Sequence, residues 1–358
     1  MTRNVLQLAV TCGALLVAAT CAVADPAPDL DRARLLSLQE QAAARSLARQ
    51  GPAFERLSAM STGPMGRLNA DPRLELMAVT PAGRPLFYIT HNLDAAVTVG
   101  ADRVWPGGAT GLGLTGANAP GDLAIWDGGV ARDTHQEFGD RITVRDGGAG
   151  VGDHATHVAG TMVAAGFDQQ AGGMSPAAFL DTYDWTDDEM EMASAAAAGL
   201  HLSNHSYGWA SGWLYGLGGD GNWYWLGDTS VSAVEDAGFG FYAGGTAEWD
   251  AIAHAAPRYL VVKSAGNDRD DVGPGPDGGH YVWDGVASDW VWSTETRDPD
   301  GGSDGHDTLP YRGNAKNILT VGAVDDVPGG WSSPGDVVVT AFSGWGPTDD
   351  GRDRKSTR

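Results

Sequence analysis

Three polar residues of the sequence have the types and surroundings needed for acyl-transfer chemistry. His154 follows a glycine-rich loop and opens a run of small residues, GDHATHVAGTM, which predicts a helix with the imidazole held in its first turn. Asp127 follows an apolar run at 123–126, and Asn267 follows another at 259–263. An acyl-transfer site needs a carboxylate to orient an imidazole, an imidazole to activate a hydroxyl, and an amide to stabilise the oxyanion.

Each of these residues also has a commoner structural use. Asp127 stands before two glycines, where an aspartate usually makes an Asx turn, and Asn267 could be an ordinary turn asparagine. His154 could be a buried histidine on an ordinary helix, and we interpret His157, one turn later, as a packed structural residue. The three residues become a hypothesis about function only if the fold brings them to one place.

The elements predicted around them alternate between strands and helices. Such alternation predicts an α/β fold, with a mostly parallel central sheet covered by helices on both faces. Sites in such sheets lie at the carboxyl ends of the strands, which is where these residues fall. The predicted strands are 123–126, 178–184, 200–206, 259–263, 318–321 and 337–340. The predicted helices are 154–165, a helix ending at 198 behind a capping box at 186–189, 228–237 and 246–255.

The motifs resemble those of the subtilisin-like serine proteases, the subtilases. His154-Ala-Thr-His-Val-Ala-Gly-Thr is similar to the family's histidine motif, with alanine in place of the first glycine. Asp127-Gly-Gly is similar to its aspartate motif, with an altered middle residue, and Ser264-Ala265-Gly266-Asn267 is similar to its oxyanion motif. The resemblance spans about 95–352. It implies that Asp127 orients His154, that His154 is the general base, and that Asn267 donates to the oxyanion.

The resemblance also implies which residues would contact a substrate. Ser206-Tyr207-Gly208 is similar to the strand that lines the first specificity pocket, and Ser264, Ala265 and Gly266 would lie beside it. Tyr207 could narrow or cap that pocket. The stretches 342–347 and 349–352 are similar to the segment just before the family's nucleophile.

The nucleophile motif of the family, Gly-Thr-Ser, does not occur in the sequence. Asp228-Thr229-Ser230 is a poor substitute because it precedes the oxyanion motif and is predicted to open a different helix. The basic tail 353–358 departs from the family, which favours a frameshift or premature stop in an incomplete peptidase domain. We therefore expect a chain that belongs to a family of serine endopeptidases but is itself inactive, because it lacks the nucleophile serine. The alternative is a non-catalytic secreted module that uses the groove and a tryptophan-rich loop to bind.

Composition restricts the partners and the compartment. The 358 residues include 46 acidic and 23 basic ones, for a formal net charge of −23, which argues against binding nucleic acid or anionic membranes. Residues 1–24 have the pattern of a signal peptide and contain both cysteines, Cys12 and Cys21. We expect a monomer that is secreted, extracellular or periplasmic, has no membrane association after cleavage, and acts on polypeptides.

The region 25–95 is predicted to be a small α+β unit before the peptidase domain at 96–358. A helix is expected at 29–50, and the helix-breaking residues Pro52, Gly63, Pro64 and Gly66 follow it. Strands are expected at 74–79 and 86–90. The sequence leaves open whether this region is a propeptide that is removed or an extension that is retained.

Two loop regions have alternative interpretations. An insertion that carries Trp209, Trp213, Tyr215, Trp223, Tyr224 and Trp225 could form a wall over the substrate, but we favour a loop that packs its own rings. The acidic loops 268–277 and 298–307 could bind a structural calcium ion, although they lack the spacing of an EF-hand and are more simply interpreted as solvated loops. The expected chemistry itself requires no cofactor.

Overall fold

A parallel sheet of six strands forms the centre of the structure, a computed structural model of the chain. It describes residues 31–49, 52–69, 74–79, 84–90, 98–146, 149–167, 172–276, 278–302, 304–325, 327 and 330–349. The strand order is β13-β10-β6-β3-β5-β4, and every pairing in this parallel sheet is parallel. The strands are β3 (Leu123–Asp127), β4 (Ile142–Val144), β5 (Leu180–Asp184), β6 (Leu202–His205), β10 (Leu260–Ser264) and β13 (Leu319–Val321).

Helices cover both faces of the parallel sheet, because the central strand β3 is apolar on both sides. Ala124 and Trp126 of β3 face a core that includes residues of α1 (Arg32–Arg49), α5 (Asp188–Ala198) and α6 (Gly244–Ala255). Leu123 and Ile125 face a core formed with α4 (Asp153–Val163). A strand that is buried on both faces has a continuous run of apolar residues in its sequence. The predicted α/β class and sheet are confirmed.

A second sheet is built mainly from aromatic residues and lies outside the parallel sheet. Its strand order is β12-β11-β9-β8, and we call it the aromatic sheet. The strands are β8 (Trp213–Tyr215), β9 (Trp223–Trp225), β11 (His280–Asp284) and β12 (Asp289–Ser293). One face packs on α2 (Pro52–Ser58), α3 (Gly63–Asn69) and β1 (Leu74–Val79). The insertion therefore packs its own rings, as favoured, but as a sheet rather than a loop.

The N-terminal region is joined to both cores. Leu35 and Leu38 of α1 lie in the core of the parallel sheet. The strand β2 (Pro85–Thr90) connects β1 to β7 (Tyr207–Trp209) in an antiparallel sheet of three strands. The predicted helix and both predicted strands are present. Pro52 and Gly63 do not simply interrupt the first helix, because each begins a further short helix.

Three other predictions of local structure are wrong. No helix forms at 228–237, because the Asp228 carboxylate accepts the Ser230 N–H and the Ser232 hydroxyl accepts the Glu235 N–H, and such local bonds compete with a helix. The 337–340 segment makes one isolated bridge, at Val339, instead of a strand.

The predicted capping box at 186–189 is also absent. Asp187 is the N-cap of α5, with a φ of 62° and no side-chain cap bond. The Glu189 carboxylate pairs with Arg312 instead of reaching back to the cap. A buried ion pair therefore replaces the local bond that the sequence pattern predicts.

Candidate active site

The carboxyl-end edge of the parallel sheet carries the three predicted catalytic residues. Asp127 is the last residue of β3, His154 is the second residue of α4, and Asn267 follows β10 by three residues. β3 and β10 are both neighbours of β6, so their carboxyl ends lie on the same edge two strands apart.

Asp127 and His154 form a hydrogen-bonded pair. The Nδ1 atom of His154 lies 2.8 Å from Oδ1 and 2.9 Å from Oδ2 of Asp127. The carboxylate is fully buried, whereas the imidazole side chain is 20% exposed. A carboxylate in this position selects the tautomer with hydrogen on Nδ1, which leaves Nε2 to take a proton.

Burial and hydrogen bonding act in opposite directions on this carboxylate. Burial raises the pKa of Asp127 above its ordinary value, while the hydrogen bond and charge of His154 and the N–H of Gly128 oppose that rise. The Gly128 N–H donates to Oδ1 over 2.8 Å. The pKa of Asp127 is therefore raised overall, although His154 and Gly128 favour the ionised carboxylate against the cost of its burial.

Close backbone approach fixes the distance between β3 and α4. The Val130 N–H donates to the Gly150 carbonyl and the Gly152 N–H donates to the Val130 carbonyl, both over 2.9 Å. A Cβ atom on Gly129, whose φ is 86°, would lie 2.6 Å from the Gly150 oxygen. Glycine is needed at 129 and 152, where a Cβ would meet the opposing backbone, because the turn after β3 and the start of α4 are in direct contact.

The turn at Asn267 is held by its neighbours in sequence and by a distant loop. The Asn267 N–H donates to the Asp268 carboxylate over 3.3 Å, and the Gly344 N–H donates to the Gly266 carbonyl over 3.1 Å. A Cβ on Gly344 would collide with the Ala265 carbonyl. The segment 342–347 therefore packs directly on the predicted oxyanion motif.

The Tyr207 side chain does not face a pocket. Tyr207 is the first residue of β7, its side chain is fully buried, and its hydroxyl donates to the Asp188 carboxylate over 2.7 Å. A side chain in this position cannot cap a substrate subsite. The backbone edge at Tyr207 and Gly208 is paired with β2. Ser206 is half-buried and accepts a hydrogen bond from Asn204, whereas Ser264 is half-buried and accepts one from Lys263.

Tyr207 belongs to a buried chain of hydrogen bonds that the sequence did not reveal. His205 contacts the Tyr207 hydroxyl through Nδ1 over 3.0 Å and the Ser203 hydroxyl through Nε2 over 2.8 Å, and Ser203 contacts the Tyr259 hydroxyl over 2.6 Å. Burial lowers the pKa of His205 well below its ordinary value, so this histidine is neutral. It is part of the core and not a second base.

His157 and the acidic loops complete the list of predicted positions. His157, predicted to be a packed structural residue, is exposed rather than buried. Within the described ranges, no group of three or more histidine, cysteine, aspartate or glutamate side chains is arranged to hold a metal ion. None of the helices in the described part of the chain has the length and apolar character of a membrane span. The signal peptide predicted at 1–24, Asp277 and the residues 350–358 lie outside the described residues.

Sequence comparison identifies the class of protein. The model of the subtilase family, a family of serine peptidases, matches residues 127–355, which include Asp127, His154 and Asn267. The chain belongs to the subtilase family. No sequence among the curated proteins matches it.

Three solved structures that are similar to the chain are proteases. The prenylagaramide maturation protease PagA is 17% identical, with a TM-score of 0.37 over 64% of this chain and 60% of that one. A point mutant of the protease domain of PatA is 19% identical, with a TM-score of 0.38 over 67% and 66%. The epidermin leader peptide processing protease EpiP of Staphylococcus aureus is 15% identical, with a TM-score of 0.36 over 73% and 59%. The chain thus covers between 59% and 66% of the length of these proteins.

Two contributors to the site were missed in the sequence. Asp184, at the end of β5, accepts a hydrogen bond from the Gly129 N–H over 2.9 Å. The guanidinium of Arg269 lies 4.0 Å above the Trp345 ring and donates to the Thr340 carbonyl over 2.6 Å, which ties the segment after Asn267 to the 340–345 loop. A carboxylate at a strand end was a usable signal for Asp184, whereas the Arg269 contact joins residues too distant in sequence to be inferred.

Proposed function

We propose that this chain carries the acid, the base and the oxyanion donor of a serine endopeptidase that hydrolyses peptide bonds. The hydrogen bond from His154 Nδ1 to both oxygens of the buried Asp127 carboxylate carries this proposal. The supporting evidence is that both residues, and Asn267, lie inside the region that matches the subtilase family.

The proposed chemistry runs through side chains and calls on no cofactor. His154 takes the proton of a serine hydroxyl at Nε2, and the serine oxygen bonds to the scissile carbonyl carbon. The side-chain amide of Asn267 donates to the oxyanion that forms. The C–N bond then breaks as His154 gives the proton to the leaving amine, and water hydrolyses the resulting ester by the same steps.

We further propose that the 358-residue chain on its own does not hydrolyse peptides, because it contains no Gly-Thr-Ser. It would act as a monomer, extracellular or periplasmic, after residues 1–24 are removed. Determination of the N-terminus of the secreted product tests that compartment, and Asp25 is the expected first residue. Calcium binding to the 268–277 or 298–307 loop stays a proposal that calcium titration can test.

Reading the coding DNA beyond the Arg358 codon in all three frames tests the enzymatic proposal. A Gly-Thr-Ser followed by helix-compatible sequence would define a complete enzyme, which we expect a serine-directed fluorophosphonate to label. In that enzyme, His154→Ala and Asp127→Ala should each slow labelling by about 10⁴-fold or more.

The chain offers a matched control at the opposite edge of the same sheet. His201 contacts Asp122 through Nδ1 over 3.1 Å, just before the amino ends of β6 and β3. His201→Ala should leave the labelling rate unchanged. Equal effects of His201→Ala and His154→Ala would contradict the proposed roles. A confirmed stop without a serine motif would contradict the protease proposal for this product and would leave a non-catalytic binding module or an inactive fragment.

A further inference from the structure

Asp184 lies beside Asp127 at the carboxyl-end edge of the parallel sheet. β3 and β5 are parallel neighbours, and their register pairs Asp127 directly with Asp184. Two carboxylates in adjacent positions repel each other, and the charge of Asp184 contributes to the raised pKa of Asp127. An aspartate is therefore a costly residue here unless its oxygens are used.

Both oxygens of Asp184 accept backbone hydrogen bonds. Oδ2 accepts the Gly129 N–H, and Oδ1 accepts the Thr186 N–H, each over 2.9 Å. The Asp184 N–H in turn donates to the carboxylate of Asp146, which follows β4. The side chain thus joins the turn after β3 to the turn after β5.

The turn held by Asp184 is the turn that contacts the helix of His154. Gly129 precedes Val130, whose backbone makes two hydrogen bonds with the segment 150–152 at the start of α4. A Cβ on Gly152 would collide with the Gly128 carbonyl, so the turn lies directly against the start of α4. The bond to Asp184 ties the same turn to the end of β5, which lies beside β3 in the sheet.

We propose that Asp184 is a positioning residue for the Asp127–His154 pair, acting by holding the Gly128–Gly129 turn against the start of α4. This inference rests on the proposed function. Asp184 is not itself a catalytic residue in this role. It acts through the Gly129 amide, and its charge is offset by the two N–H groups it accepts.

The test uses the Nδ1 proton of His154 as a readout that needs no nucleophile. An imidazole N–H bonded to a carboxylate gives a separate downfield proton signal in NMR, which disappears when the bond opens and the proton exchanges with water. The full chain should show this signal, and His154→Ala, which assigns it among nine histidines, should remove it.

Asp184→Ala is expected to abolish the signal or reduce it at least about fivefold, because the released turn lets the Asp127–His154 bond open. Asp184→Asn, whose amide oxygen can still accept one N–H, should keep at least half of it. Asp184→Val removes both acceptors with a residue suited to a strand, and it replaces the alanine variant if that variant does not fold.

Asp284→Ala is the matched control, because the Asp284 carboxylate also accepts two backbone N–H groups at a turn, but in the aromatic sheet. It should leave the signal unchanged. A native signal in folded Asp184→Ala or Asp184→Val would overturn the inference. Loss of the signal in Asp184→Asn would assign the effect to charge and overturn the hydrogen-bond account. Absence of the signal in the unmodified chain would instead overturn the proposed Asp127–His154 pair.

Discussion

The parallel sheet and the aromatic sheet of this molecule differ in the residues from which they are built and in what those residues do. The edge of the parallel sheet that carries Asp127 and His154 is built from small residues, so that strand, turn and helix approach within hydrogen-bonding distance. The aromatic sheet is built from large rings that bury one another and Arg297, whose guanidinium lies 4.2 Å above Trp225. The first arrangement fixes the position of polar atoms, and the second fills space.

This difference explains what substitutions should do in each region. At the edge of the parallel sheet, removal of a polar atom changes chemistry while most of the core remains. In the aromatic sheet, removal of a ring opens a cavity and changes stability, since the lost contacts and the cavity both cost free energy. Substitutions in one region should therefore leave the other unaffected.

The largest expected loss of stability follows from Trp225→Ala. Trp225 is fully buried between Trp213, Val282 and the guanidinium of Arg297. Truncation should lower the free energy of unfolding by about 3 to 5 kcal/mol. Urea titration followed by far-UV circular dichroism measures this change, and the His154 Nδ1 proton signal should persist below the transition.

Trp292 provides the control for that experiment. It is in the same sheet but is 54% exposed, so Trp292→Ala should change the unfolding free energy by less than about 1 kcal/mol. A large loss at Trp292, or loss of the His154 signal in folded Trp225→Ala, would show that the two regions are not separable.

A smaller loss is expected from Leu35→Ala in α1. Leu35 is fully buried in the core shared with Trp126 and Trp249, although it lies in the N-terminal region. The substitution should cost about 2 to 5 kcal/mol, towards the lower end because leucine is smaller than tryptophan. The neighbouring Leu36 is 45% exposed, and Leu36→Ala should cost no more than about 0.5 kcal/mol.

The Leu35 result also bears on whether residues 25–95 are retained or removed. If Leu35→Ala and Leu36→Ala have the same small effect, α1 is not part of the core of the peptidase domain, and a removable segment becomes the better interpretation. Urea midpoints of the two variants, measured side by side, decide this point.

The sequence was sufficient for the parallel sheet because its signals are local. The apolar run at 123–126 and the small residues after His154 each predict an element within ten residues, and parallel strands bring their ends together. The placement of Asp127, His154 and Asn267 at one edge of this sheet could therefore be predicted from residue type, spacing and family resemblance.

The sequence was insufficient for the aromatic sheet because its contacts are distant. Leu57, Leu76, Tyr224 and Trp283 meet in one core although they come from four separate parts of the chain. The prediction that Tyr207 caps a pocket failed for the same reason, because its hydroxyl bonds to Asp188, which lies on another element. Periodicity shows that a residue is apolar or polar, but not which distant residue it meets.

The smallest predicted effect concerns the acidic cluster between the two regions, which we define as Asp236, Asp268, Asp271 and Asp300. Asp268 accepts the Asn267 N–H beside the proposed oxyanion donor, whereas Asp300 accepts the Trp213 N–H of the aromatic sheet over 2.8 Å. Burial raises the pKa of Asp268 to about 7, with a further rise from the charge of Asp236 and an opposing effect of Lys263.

This raised pKa predicts how stability depends on pH. The folded chain keeps the Asp268 proton that the unfolded chain loses near pH 4, so the folded state binds more protons between about pH 4 and 7. Ionisation of Asp268 therefore destabilises the folded state. This loss of stability increases from about pH 4 to pH 7 and reaches its full size above pH 7. Asp268→Asn should raise the unfolding free energy by about 1 to 2 kcal/mol at pH 8 and by much less at pH 5.

Asp336 supplies the opposite sign in the same measurement. The N–H groups of Ser332 and Ser333 lower the pKa of Asp336 to about 2, so its ionisation favours the folded state above pH 4 and Asp336→Asn should be destabilising at neutral pH. Urea titrations at pH 5 and 8 compare the two variants. A loss of stability in Asp268→Asn at pH 8 would contradict this prediction. It would mean that the charge of Asp268 is stabilised by the Asn267 N–H, as the charge of Asp336 is by its backbone N–H donors. The boundary between the two sheets would then be held by hydrogen bonds to carboxylates rather than weakened by their repulsion.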